Sequence, residues 1–332
     1  MRHDTTVVLL TCLASTVNAL STSGYGGGID RRKAIQSAIL TTTSAGLWLP
    51  PSASSAKESI FNPIQTLSDG TKFPLASFGL QIYDDNIAYK LTLAALEVGY
   101  RNFFASVLAG NQKGFAKAVK DSLVPRSELF ICGSVVSNRV AGYDGSKQAT
   151  TKGWKKNMEC FGVGDIDYLD QIMLDYPGPD SSSIQGQWAS FEEMHSQGLT
   201  KTLSVSNFSP SQLDCVLSEA KVKPVVNQLP YSVAYHPGSS IAENSKRGIL
   251  VQAWAPLGGS LGGRFSSSMK GTCASIGRKY GKSYAQVALR WIVQSGASFT
   301  TQSKNKEHFA EDLDIFDFEL TEEDMATLSS LA

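Results

Sequence analysis

The sequence predicts one (β/α)8 barrel preceded by a short β-hairpin. From residue 61 onward, short apolar runs alternate with helical patterns, and no break in composition interrupts them. Ahead of the first such run, Asp69-Gly70 lies between two β-like segments in "FNPIQTLSDGTKFPLASFG", the signature of a two-residue hairpin turn.

Taken in order, the strand candidates are 76–82, 100–105, 129–135, 168–175, 200–208, 224–231, 249–257 and 298–303. Helical spacing of apolar residues marks 86–99, 114–123, 182–198, 209–222 and 282–296, two of which finish at glycine. Ser209 before Pro210 reads as an N-cap with proline at the first helical position. Thr321 and Asp324 have capping-box spacing for a last helix. Two stretches, "NRVAGYDGSKQATTKG" (138–153) and "GGSLGGRFSS" (258–267), read as loops at the mouth of the barrel. An open doubly wound sheet would need a glycine-rich turn after its first strand, and "FGLQIYDD" has no G-x-G-x-x-G.

The chain of 332 residues balances 30 Lys+Arg against 30 Asp+Glu, so no basic stripe points to nucleic acid. Its 42% apolar content supports a large core. Five widely spaced cysteines, Cys12, Cys132, Cys160, Cys215 and Cys273, form no C-x-x-C or Cys/His cluster, so no metal is expected and buried free thiols are.

Residues 1–56 read as a targeting leader. An apolar run, "VVLLTCLASTV", ends at Val17-Asn18-Ala19 with the small residues of a signal-peptidase site. An acid-poor, Ser/Thr/Gly-rich, transit-like segment follows. Arg31-Arg32 then precedes a second apolar stretch and another small-residue end at Ser54 and Ala56, a layout resembling a twin-arginine signal. The expectation is delivery to a plastid, ending in the thylakoid lumen, with 57–332 as a single barrel domain that does not insert stably into a membrane.

Four stretches resemble the aldo-keto reductase family over roughly residues 61–331: "GYRNFFASVLAGN", "DIDYLDQIMLDYP", "LSVSNFSPSQL" with "VVNQLPYS", and "DIFDFELTEEDMATLSSL". The resemblance implies a barrel of that type, binding NADP(H) or NAD(H) and reducing carbonyls. Family members use an Asp, a Tyr, a Lys and a His at strand ends. Carried over residue by residue, those positions fall on Phe104, Ala109, Ser134 and Asp175. The resemblance also places Ser206, Asn207 and Gln228 at the nicotinamide carboxamide, Trp254 on its ring face, and Ser303 and Glu311 on the adenosine side. There the phosphate-reading Lys falls on Gln302 and an Arg on His308. Losing two cations weakens preference for a 2′-phosphate.

Two functions follow as expectations. One is a non-catalytic barrel binding a nucleotide or small ligand, or regulating a protein partner. The alternative is an NAD(P)H-dependent oxidoreductase acting on a small carbonyl through a rebuilt site, with Asp175 as substitute acid. Asp175 bonded to Ser134 or to a neighbouring amide is its structural reading. Tyr83 and Tyr143 are weaker candidate proton donors, Tyr176 a pocket-lining residue, His195 a surface residue and His236 a loop residue.

Overall fold

The computed structural model describes residues 62–259 and 263–332. The leader read at 1–56, and the start of the barrel domain at Lys57, lie outside the described residues. Strands β1 (Ile64–Thr66) and β2 (Lys72–Pro74) pair antiparallel, with Thr66 opposite Lys72. The turn between them is longer than the two-residue one expected. Leu67 N donates to Thr71 O at 2.9 Å, Asp69 Oδ1 accepts from the Thr71 N–H at 2.9 Å, and Gly70 takes φ +89°. The Asp-Gly pair therefore closes a wider loop, with the glycine as its left-handed residue. This hairpin covers the N-terminal end of the barrel: Leu67 and Phe73 pack on Phe130, Val225, Val226 and Leu250.

Eight parallel strands close the barrel: β3 (Ala76–Gly79), β4 (Asn102–Phe104), β5 (Phe130–Val135), β6 (Leu169–Asp175), β7 (Thr200–Ser206), β8 (Val226–Pro230), β9 (Leu250–Trp254) and β10 (Ser298–Thr301). Each neighbours the next in sequence, and β10 returns beside β3 with Phe299 opposite Ala76. Outside them lie α1 (Asp85–Val98), α2 (Gln112–Ser122), α3 (Tyr143–Phe161), α4 (Ser181–Ser196) and α5 (Pro210–Leu217). The second half adds α6 (Ser240–Ser245), α7 (Ser267–Tyr280), α8 (Tyr284–Gln294), α9 (Lys306–Leu313) and α10 (Glu322–Ser329). Among the described residues, no helix is long and apolar enough to cross a membrane.

Local chemistry sets the helix starts. Ser209 caps α5 in a reciprocal box with Gln212, Pro210 opening the first turn, and Ser283 with Gln286 does the same for α8. Thr321 caps α10, accepting from Asp324 N at 3.2 Å. One expected loop is a helix: most of 138–153 belongs to α3. Its buried face is Ser146, Thr150, Trp154, Asn157, Cys160 and Phe161, so half of its contact stripe is polar and the apolar period is faint. Those polar groups are satisfied inside, Thr150 with Ser137 at 2.7 Å and Asn157 Nδ2 with Ser134 O at 2.8 Å. Cys132, Cys160 and Cys273 are buried free thiols and Cys215 is half-buried.

Asn111 fixes the segments after β3 and β4 relative to each other. Fully buried, its amide donates to the carbonyls of Leu80 and Tyr83 and accepts from Ser106 N at 3.0 Å. Asn111→Ala strands the Tyr83 carbonyl and the Ser106 N–H, leaves the Leu80 carbonyl with the Tyr83 N–H alone, and is expected to cost about 2–4 kcal/mol, read as a shift in urea midpoint. A loss within about 0.5 kcal/mol, the range of ordinary surface changes, would show that the tie is dispensable.

Candidate active site

A cavity of about 540 Å³ opens at the C-terminal ends of the barrel strands, where barrels of this architecture place their chemistry. Register assembles one side of it. Asp175 at the end of β6 is opposite Ser206 of β7, Ser206 is opposite Gln228 of β8, and Gln228 is opposite Gln252 of β9. A continuous polar rung thus follows the rim, and Gln228 Nε2 donates to Gln252 Oε1 at 2.8 Å.

Immediately beyond the strands, Tyr176, Asn207 and Ala255 take φ of +69°, +63° and +50°. Left-handed backbone at a residue with a Cβ costs about 1–2 kcal/mol, so such residues persist where surrounding structure dictates them, often at functional sites. All three line the cavity. The turn at Asn207 aims its amide inward, where Nδ2 donates to Ser206 Oγ at 2.8 Å and to Asp175 Oδ1 at 3.3 Å. Its Oδ1 accepts from the Trp254 indole N–H at 3.2 Å. Trp254, Asn207 and Asp175 are therefore one connected unit.

Asp175 is buried at 8% exposure. Burial pushes its carboxyl from the ordinary 3.8 up to about 6, and hydrogen bonds from Ser206 and Asn207 hold it from rising further. Of the two partners expected from sequence, Ser134 is not the one, since its Oγ accepts from Val107 N at 3.3 Å; the neighbouring amide is, supplied by the Asn207 side chain.

The remaining candidates divide. Phe104, Ser206, Asn207, Gln228, Trp254, Ser303 and Glu311 all line the cavity, as does Tyr176. Ala109 and Ser134 do not. Ala109 lies in the turn after β4 with only a methyl group to project, and Ser134 is wholly buried behind that turn. Tyr83 is buried in the core, and Tyr143 opens α3 on the outer face, lining a separate groove. His236 is a structural loop residue, its ring nitrogens 3.0 Å from the carbonyls of Ser232 and Ser329.

The wall formed by β10, α8 and α9 holds residues the sequence reading passed over. Thr300 Oγ1 is buried without a hydrogen-bond partner, and with the Gln81 amide oxygen it crowds the face of Gly79, leaving no room for a Cβ there. Asp312 is 6% exposed, and burial pushes its carboxyl up to about 7 despite a hydrogen bond from Thr301. The signal for Asp312 was available: it shares the inward face of α9 with Phe309 and Leu313, where a charged residue is out of place. Tyr284 and Ala285 bring the N-terminus of α8 to the same wall.

A closed parallel barrel with a large polar-rimmed cavity at its strand ends defines a class of small-molecule enzyme scaffold. The sequence profile of the aldo/keto reductase family matches residues 75–332, and the chain belongs to that family. Glyoxal reductase of Bacillus subtilis is 33% identical over 270 residues, covering 80% of this chain and 91% of its own. An aldo-keto reductase of Mycolicibacterium smegmatis is 30% identical over 271 residues, covering 81% and 94%. Among solved structures, an aldo/keto reductase from Brucella melitensis superposes with TM-score 0.74 at 27% identity, over 82% of this chain and 100% of its own. The Bombyx mori aldo-keto reductase in complex with NADP superposes with TM-score 0.72 at 25% identity, over 81% and 92%.

These likenesses overturn the expectation of a non-catalytic binding or regulatory barrel, since the relatives bear the names of reductases. That expectation rested on the side chains at Phe104, Ala109, Ser134 and Asp175. It gave too little weight to a buried acid already hydrogen-bonded at the cavity wall.

Proposed function

We propose that this chain is an oxidoreductase that uses a nicotinamide dinucleotide to reduce a small carbonyl compound, with Asp175 as its proton donor. The observation that carries the reading is the buried Asp175 carboxyl on the cavity wall, bound to Asn207 and titrating near 6. A carboxyl with that proton affinity is protonated in useful amount near neutral pH and still gives its proton up readily.

The cavity suits the dinucleotide. An orphaned buried hydroxyl at Thr300 is what a bound polar ligand would satisfy. Ser206, Asn207 and Gln228 would hold the carboxamide, and Trp254 would face the ring. When bound, the dinucleotide supplies the hydride that goes to the carbonyl carbon. Asp175 would give its proton to the carbonyl oxygen, which stays bonded to carbon as the hydroxyl of the alcohol product, and would regain one from water. Asn207 and Ser206 hold the carboxylate so formed by hydrogen bonds. Phe104 keeps that side of the pocket apolar, packed on Cys132 and Met173.

The test is binding followed by turnover. NADH or NADPH is expected to quench tryptophan fluorescence saturably, with the quench reduced in Trp254→Phe. Dinucleotide oxidation should then appear with small aldehydes or dicarbonyls. Failure of every such compound to support oxidation by a protein that binds dinucleotide would sink the reading.

A further inference from the structure

The polarity of one amide decides how Asp175 is held, an inference that rests on the function just proposed. Asn207 Oδ1 faces the Trp254 indole nitrogen at 3.2 Å, while its Nδ2 lies 3.3 Å from Asp175 Oδ1 and 2.8 Å from Ser206 Oγ. An indole N–H only donates, whereas an amide accepts at one end and donates at the other. The end that meets Trp254 must therefore be the oxygen, which leaves the nitrogen for the acid. Ser206 and Asp175 impose no such polarity. A hydroxyl donates or accepts, and a carboxyl accepts when ionised and donates when protonated, so both would serve an amide turned end for end. Of the three side chains bonded to Asn207, Trp254 alone cannot reverse.

Trp254 is itself well held, half-buried at the end of β9 opposite Pro230 of β8, with its carbonyl accepting from Tyr231 N at 3.4 Å. The Asn207 backbone is fixed by its left-handed φ of +63° and by the bond from its N–H to Gln228 O at 2.9 Å. Turned over, the amide would set its oxygen against Asp175 and Ser206. The Ser206 hydroxyl, which helps to hold the carboxylate, would donate to that oxygen instead, and the ionised acid would lose both donors. The other titratable groups that feel Asp175 are Tyr176 beside it and the Cys132 thiol of β5, both held neutral chiefly by burial. His308, Glu311 and Asp312 also line the cavity.

We propose that Trp254 is a positioning residue for Asp175, holding Asn207 with its amide nitrogen, and not its oxygen, against the acid. The experiment follows the Asp175 carboxyl against pH by infrared difference spectroscopy on the full chain, with Asp175→Asn as the blank. Trp254→Phe keeps an aromatic ring and removes the donor. Its titration midpoint is expected to rise from about 6 by on the order of one pH unit, and the alkaline fall in carbonyl turnover should move with it. A ring that only fills space predicts the opposite sign, because a smaller one admits water and water favours the charged form. In an Asn207→Ala background, Trp254→Phe should shift the midpoint by less than about 0.3 unit, since no amide remains to turn. If Trp254→Phe does not fold, wild type decides the matter. Its Trp254 indole N–H resonance should titrate together with Asp175, and should cease to do so in Asn207→Ala.

A midpoint that stays or falls in Trp254→Phe, an equal rise with and without Asn207, or an indole resonance blind to the acid overturns the inference. Each of these leaves the oxidoreductase reading intact, because the titration is read without turnover. The expected shift in a protein that turns over no carbonyl compound removes that reading and leaves the polarity of the amide standing.

Discussion

Asp175→Asn is expected to lower kcat for carbonyl reduction by about 10²–10⁴-fold, the usual worth of a positioned proton donor. The asparagine keeps the shape of the side chain and an oxygen for the Asn207 Nδ2 bond, now 3.3 Å long. Dinucleotide affinity should therefore stay within about threefold, separating loss of chemistry from loss of binding. The pH profile adds a second reading. Because burial raises the Asp175 carboxyl to about 6, the donating form predominates below that value. Above it, the wild-type rate should fall about tenfold per pH unit. The variant has no proton to lose there, so its residual rate should be flat across the same range. A variant with near-wild-type turnover, or one that retains the alkaline fall, would assign the proton to another group. Tyr176, which also lines the cavity, is the first to examine.

Asp312→Asn is expected to stabilise the fold at about pH 8 by an amount on the order of 2–4 kcal/mol, and to have little effect near pH 4. The carboxyl is pushed from 3.8 up to about 7 because it is buried beside Thr301 with another acid, Glu311, next to it. Its folded-state proton affinity exceeds that of the unfolded chain. The folded protein therefore holds a proton the unfolded chain has released, and stability falls as pH rises from about 4 through 7. Above that range the wild type carries an ionised, poorly solvated carboxylate, which an asparagine removes while keeping an acceptor for Thr301. Urea denaturation of both proteins at the two pH values checks this. An equal difference at both pH values would mean that Asp312 titrates like a surface carboxylate.

These acids also show where sequence reasoning succeeded and where it stopped. The barrel was legible because each parallel strand, buried on both sides, is a short apolar run such as 129–135 or 168–175, and because Ser209 and Thr321 announce helices by capping chemistry. Helix α3 was hidden because Ser146, Thr150 and Asn157 bury hydroxyl and amide groups where the period expects aliphatic ones. The polar rung was legible because the family resemblance singled out Ser206, Asn207 and Gln228 near consecutive strand ends, which register brings side by side. The link from Asn207 to Asp175 was not, because it depends on a left-handed backbone at 207 that aims the amide backward along the rim. Asp312 and Thr300 escaped for a related reason. Their importance lies in what surrounds them, a buried face of α9 and the close approach of Gly79 and Gln81.

Closure of the barrel between β10 and β3 dictates when the cavity comes into being during synthesis. The pair joins Phe299 to Ala76, so a nascent chain has emitted nearly all of its length before the ring can shut. Until Ser298–Thr301 clears the ribosome, β3 and β9 present unpaired edges, and the wall carrying Thr300 and Asp312 does not exist. On the function proposed above, a dinucleotide would have no complete seat on any partial chain, so it would act as a clamp on the finished ring and never as a seed for it. Truncation a few residues short of β10 would open the whole structure, with two sticky strand edges exposed to aggregation.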